Sequence, residues 1–304
     1  MSNKNYLSVY AKSFNWAGFF LPKKTYNKCS ALYNFCRVAD NIADDKEKLE
    51  VKEIKFKQFE KDFTQKNFDN PIIKNMWGLI DEFKISVKII EDLFDGIRSD
   101  IKDKVIFNSK KDLLIYSYRV AGTVGLMMAK ILKVNKESSL KSAIDLGIAM
   151  QLTNISRDVI EDSKINRFYI NKSFKEITST VNLANTFYES SFYSIKDIPI
   201  SFRFSILVAR RVYRKIGHKI LSKKNLDNYQ NSGKIYVSNI EKVLETFISI
   251  FDFIKLLFIY KKDDEIQHNH NLINEEINLD ERIWLYHYWW WLFRIITCVW
   301  TWDQ

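Results

Sequence analysis

Apolar residues recur at three-and-four spacing along most of this chain, the mark of amphipathic helices. The spacing predicts helices over 26–44, 49–64, 72–84, 86–98, 110–132, 138–164, 173–190, 198–222 and 236–260. No run of period-two alternation is long enough for a sheet. The polar stretch KKDDEIQHNHNLINEEINLD (Lys261–Asp280) breaks the pattern, and WLYHYWWWLFRIITCVWTW follows it as an aromatic tail. The expected architecture is all-α: a helical domain over 1–260, a polar linker over 261–280 and an aromatic segment over 281–304.

Two of these helices carry a stripe that their apolar surroundings do not explain. In QLTNISRDVIEDSKINRFYI, Gln151, Asn154, Asp158 and Asp162 fall on one face, since residues three or four apart stack. In ALYNFCRVADNIADD, Tyr33, Arg37, Asp40 and Asp44 do the same. Like charges four apart repel by roughly 0.2–0.5 kcal/mol. Either stripe alone reads as the solvated face of an amphipathic helix. Taken as a pair, each with an adjacent arginine (Arg37, Arg157) and an apolar remaining circumference, they suit a buried polar site. Facing carboxylate pairs fit Mg²⁺, which binds through one or two carboxylates plus substrate phosphate. Arginine adds planar, bidentate donors for phosphate oxygens. The chemistry implied is a diphosphate leaving group held by metal and arginine beside an apolar pocket.

Composition narrows the alternatives. Eight Gly and three Pro in 304 residues are too few for a turn-rich sandwich or a Gly-looped nucleotide fold. With 46% hydrophobic residues the chain packs a core rather than staying disordered. Its net charge of +10 attracts nucleic acid, anionic lipid or small anions. The Lys and Arg are spread out, with no basic arm and no zinc-finger or RNP-like motif, which argues against nucleic acid. Cys29, Cys36 and Cys298 show neither metal spacing nor a disulfide framework, as in a reducing cytoplasm. MSNKNYLSVYAKSF lacks the apolar core of a signal peptide.

The segments CRVADNIAD, YSYRVAGTVGLMM and QLTNISRDVIEDSKINRFYI resemble, in order and spacing, the signature regions of the squalene/phytoene synthase family. Supporting matches run from AKSF (Ala11–Phe14) to KIYVS (Lys234–Ser238). The resemblance implies a single-domain, isoprenoid-synthase-type helical bundle around a central cavity. It implies head-to-head joining of two prenyl diphosphates through a cyclopropylcarbinyl diphosphate. By the same resemblance Asp40, Asp44, Asp158, Asp162 and Asn154 hold Mg²⁺, with Mn²⁺ as the alternative ion. Arg37, Arg157, Lys12, Ser13 and Gln151 contact diphosphate. Tyr116, Tyr33 and Tyr118 guide the cation or the proton loss, the other reading being core tyrosines with satisfied hydroxyls. Asp100 fits a family position or serves as a helix cap.

Gly122 and Gly125 lie inside a helical pattern at about 1 kcal/mol each, either for close packing or to make room for a prenyl chain. Lys234 stands where relatives often carry Arg, and Asn166 where Gly is common. YSYRVAGTVGLMM is more similar to phytoene synthases, so the expected reaction is two geranylgeranyl diphosphates giving phytoene, without NADPH, in carotenoid biosynthesis. The alternatives are farnesyl diphosphate coupling to dehydrosqualene, squalene or presqualene diphosphate, and a non-catalytic isoprenoid-binding protein. Arg294 and His287 interrupt the aromatic tail. It is therefore expected at a membrane–water interface rather than across the bilayer, or packed on the domain or a second subunit. The expected location is the cytoplasm, peripherally on the inner face of the membrane; the oligomeric state stays open.

Overall fold

The computed structural model describes residues 12–258 and 268–277. Its helices run, in chain order, α1 (Lys12–Gly18), α2 (Lys23–Asp44), α3 (Leu49–Thr64), α4 (Pro71–Phe83), α5 (Val87–Ser99) and α6 (Lys110–Ser117). A π-helical turn (Tyr118–Gly122) joins α6 to α7 (Thr123–Ile131), and α8 (Glu137–Lys164) follows. Then come α9 (Phe174–Ser190), α10 (Ile200–Leu221), α11 (Leu226–Asn231), α12 (Asn239–Phe258) and, after a 3₁₀ turn (His268–Ile273), α13 (Asn274–Ile277). The strands β1 (Val105–Ile106) and β2 (Arg167–Phe168) pair in parallel, Val105 opposite Arg167. Each predicted helix has its counterpart; 110–132 alone is broken, at the π turn.

Short polar side chains set the helix starts. Asn70 accepts from the Ile72 amide ahead of Pro71, and Ser109 and Ser173 accept from Asp112 and Glu176. Each thereby satisfies an amide that the helix leaves unbonded. Inside, Phe35, Phe63 and Phe94 form an aromatic cluster between α2, α3 and α5, with ring centroids 5.4–6.0 Å apart. Helix α8 is the hub and packs against α7, α9 and α10. Glycine lets it come close: a Cβ on Gly125 would lie 2.2 Å from the Ala143 carbonyl oxygen, and one on Gly147 2.3 Å from that of Ala121. Of the two readings of Gly125, close packing is the one this contact supports.

Within the stretch expected as a polar linker, residues 268–277 fold onto the body. His270 and Ile273 are fully buried, and His270 Nδ1 lies 2.6 Å from Asp145 Oδ1 in the middle of α8. Arg119 of the π turn donates to Glu276 at 2.7 Å. Polar residues are here the glue of a docked segment, a use that alternation and composition do not distinguish from a solvated connection. The aromatic segment 281–304 lies outside the described residues.

Candidate active site

Helix α8 is buried around most of its girth, but Gln151, Asn154, Asp158 and Asp162 stay part-accessible along one line. The polar stripe read from the sequence thus lies along an accessible line beside the buried Leu152, Ile155 and Val159. On α2 the matching positions Tyr33, Arg37 and Asp40 are also part-accessible, while Leu32, Phe35 and Ala39 are buried. The two stripes share one electrostatic environment. Burial pushes Asp162 up to about 7; Asp158 one turn away adds to the rise, and Asp100 and Asp44 contribute from other elements. Half-buried Asp40 is likewise pushed up to about 7, by burial first and then by Asp44, against the pull of Arg37.

Basic side chains already sit on these acids. Arg37 donates to Asp40 at 2.9 Å. Arg157 grips Asp158 with two nitrogens, Nε to Oδ1 at 2.8 Å and Nη2 to Oδ2. Lys234 Nζ stands 3.6 Å from the same Asp158, so the lysine at the common arginine position still reaches the site. Tyr229 of α11 braces the backbone here by donating to the Arg157 carbonyl at 2.7 Å.

Asp100, read from the sequence as a family position or a helix cap, joins two residues given no role there, Arg167 and Tyr169, to complete the arrangement. Asp100 follows α5, and its side chain does not cap that helix. Its carboxylate accepts from Tyr116 at 2.6 Å and from Tyr169 at 2.7 Å, and the two phenol rings stack 4.8 Å apart. Burial raises Asp100, while Arg167 and the two phenols pull it back. Burial and the carboxylate together push Tyr116 well above the ordinary phenol range. Arg167 donates to Asp44 at 2.8 Å and to the Ala43 carbonyl at 3.1 Å, tying the end of α2 to β2. The β1–β2 pair holds it there, entered through Asn166 at φ +59°, a left-handed position that Asn tolerates. That backbone explains how Asn serves where Gly is common. A signal for Tyr169 existed in NRFYI, two residues past Arg167, but no spacing rule connects it to Asp100.

The remaining expected residues divide. Tyr33 lies beside Arg37 and Asp40, and burial pushes its phenol up to about 12. Gln151 accepts from Asn154 Nδ2 at 3.4 Å. Tyr118 is not brought to the cluster: fully buried, it donates to the buried Asp92 of α5 at 2.6 Å. Lys12 and Ser13 open α1, and their side chains lie outside the described residues.

The donor set fits a hard cation. Asn154 Oδ1 is buried without a hydrogen-bond partner, one turn before Asp158, and the surrounding acids are oxygen donors that repel one another. Among the described residues no three Asp, Glu, His or Cys groups converge as a complete metal cage. Mg²⁺ asks for no such cage, since it takes one or two carboxylates and fills its shell with water and substrate phosphate.

Known proteins resemble this chain in sequence and in fold. Residues 7–176 match the family model described as squalene/phytoene synthase. The 15-cis-phytoene synthase of Pantoea ananas is 29% identical over 247 residues, covering 70% of this chain and 80% of its own. The phytoene synthase of Rhodobacter capsulatus is 27% identical over 242 residues, 71% of each chain. The crystal structure of a dehydrosqualene synthase in complex with ligand superposes with a TM-score of 0.69 at 28% identity, over 82% of this chain and 94% of that one. With the family match spanning more than half of its length, the chain belongs to the squalene/phytoene synthase family of prenyltransferases.

Proposed function

We propose that this enzyme couples two geranylgeranyl diphosphates head to head and releases phytoene, a step of carotenoid biosynthesis. The observation that carries this is the shared field of two aspartate pairs, each with its own arginine, around the buried Asp100. The phytoene synthases among its relatives supply the product class. Asp40 and Asp44 would hold Mg²⁺ from α2, and Asp158, Asp162 and Asn154 from α8. Bound there, the ion would neutralise charge on the diphosphate oxygens and so make the diphosphate a better leaving group.

The chain's own groups do the rest. On arrival of a diphosphate, Arg37 and Arg157 turn from Asp40 and Asp158 to the phosphate oxygens, which leaves the carboxylates to the cation. Lys12, Ser13 and Gln151 complete the diphosphate cradle. One diphosphate leaves as an allylic cation forms; the double bond of the second chain attacks it and loss of a proton closes the cyclopropylcarbinyl diphosphate, whose own diphosphate then leaves as the carbon skeleton rearranges. The face of Tyr33 stabilises positive charge by about 0.5–2 kcal/mol. As the Tyr116 oxygen takes the proton lost in forming the central triene, its own hydroxyl proton would pass to the Asp100 carboxylate it is bonded to, so the proton ends on Asp100. A proton rather than a hydride closes the reaction, so no NADPH is required.

A second reading keeps the mechanism and shortens the substrate: two farnesyl diphosphates giving dehydrosqualene. The likeness to a dehydrosqualene synthase favours it. Chromatography and mass spectrometry of products from each diphosphate, with Mg²⁺ and with or without NADPH, separate the two. We place the reaction at the inner face of the cytoplasmic membrane. No helix among the described residues is long and apolar enough to cross a membrane; by its Trp- and Tyr-rich sequence, segment 281–304 would serve as an interfacial anchor.

A further inference from the structure

We propose that the outer face of α12 is a docking surface for an anionic lipid bilayer. A surface helix ordinarily turns its apolar stripe inward and its charges outward. Helix α12 does the reverse. Its buried residues include Lys242, Glu245 and Ser249. Its acids point to α10, where Lys219 meets Glu241 at 2.8 Å and Arg211 meets Glu245 at 3.0 Å and Asp252 at 2.7 Å. Its apolar side chains point away from the body: Ile240 is 75% exposed, Phe247 61%, Phe251 71% and Phe258 81%, with Leu244 and Ile254 between them.

The width of this face selects the occupant. A helix that pairs with one other helix needs only a narrow seam. Here Val243, Ile250 and Leu257 are also exposed beside the stripe, and at 3.6 residues per turn the apolar arc takes about half of the circumference. The end of α1 extends it. Trp16 Nε1 donates to Thr246 at 3.0 Å, which seats α1 against α12, and Phe19 just beyond is 75% exposed. Exposed lysines stand at the rim, Lys23 and Lys24 next to the Phe19–Phe20 pair and Lys255 on α12 itself. The acids of α12 are all engaged inward, so the face repels no anion. An apolar arc half a helix wide with a lysine rim matches a headgroup–acyl boundary rich in anionic lipid. In the segment that leads into α12, Lys234 reaches Asp158 and Tyr236, two residues on, is exposed. This surface lies on a different part of the chain from segment 281–304.

Vesicle flotation of the full chain tests it, using phosphatidylcholine vesicles with and without phosphatidylglycerol. The wild type is expected to float with the anionic vesicles and less so at high salt. Phe247→Glu/Phe251→Glu should lower the vesicle partition coefficient at least tenfold. Lys23→Glu/Lys24→Glu should lower it for anionic vesicles only. Turnover of detergent-dispersed substrate should stay within twofold in both variants, so a failed membrane surface and a failed reaction give different results. Undiminished flotation of the Phe247→Glu/Phe251→Glu protein would overturn the proposal, as would absence of wild-type binding. So would light scattering that finds a wild-type dimer turned monomeric by that variant with flotation intact, since the face would then be a subunit interface.

Discussion

Asp40 and Asp162 hold their protons to about pH 7 in the folded protein, above the ordinary carboxylate range. Between about pH 4 and pH 7 the native state therefore binds more protons at these positions than the unfolded chain. Stability from this source falls as pH rises across that window and is level above it. In metal-free buffer Asp40→Asn should flatten the slope and melt higher than wild type near pH 8, while losing turnover; parallel melting and activity profiles check this. The two tyrosines of YSY should separate. Tyr118→Phe takes a hydrogen bond from buried Asp92 and should cost about 1–3 kcal/mol of stability, with kcat retained by the folded fraction. Tyr116→Phe should depress kcat, because its hydroxyl stands on Asp100 beside the acids. Sequence alone could not divide them: both fit the motif, and which acid each meets depends on where α5 and β2 lie. The D-x-x-x-D stripes were legible because helical spacing fixes them locally. Asp100 was legible only as a family position or a helix cap, and Arg167 and Tyr169 not as partners of it, because separate elements bring the three together.

Helix positions were readable from three-and-four spacing, and capping side chains such as Asn70 and Ser173 explain where they start. The spacing missed the break at Tyr118–Gly122, where an extra residue per turn shifts the side chains that follow without altering composition. It also gave no hint that α12 buries its charges, since periodicity shows two faces but not which one packs. The α7–α8 contact makes a sharp prediction. Gly125→Ala drives a methyl against the Ala143 carbonyl and should destabilise by about 1–3 kcal/mol, read as a lower urea midpoint with unchanged m-value. A similar effect at Gly147 would confirm that the contact, rather than helix propensity, sets the cost.

At the scale of the molecule, a segment more than a hundred residues downstream is pinned to the centre of α8 through His270 and Asp145. Burial raises Asp145, and His270 and Ser190 hold it back. His270→Ala would remove a hydrogen-bond partner from a buried carboxylate, at about 1–3 kcal/mol. Faster amide exchange confined to 268–277 would mark local release, whereas unchanged exchange across that segment would contradict the docking. The all-α architecture and the family were legible because motif order and spacing survive in a linear string; chain length of the substrate was not, since it depends on cavity depth set by many helices. The first measurement is the product assay with Mg²⁺ and either geranylgeranyl or farnesyl diphosphate, run on wild type and Asp158→Ala. The expected result is a C40 triene from geranylgeranyl diphosphate, independent of NADPH and absent with Asp158→Ala. A C30 product alone would contradict the substrate, and no product from either diphosphate, or a product indifferent to Asp158→Ala, would contradict catalysis at this site.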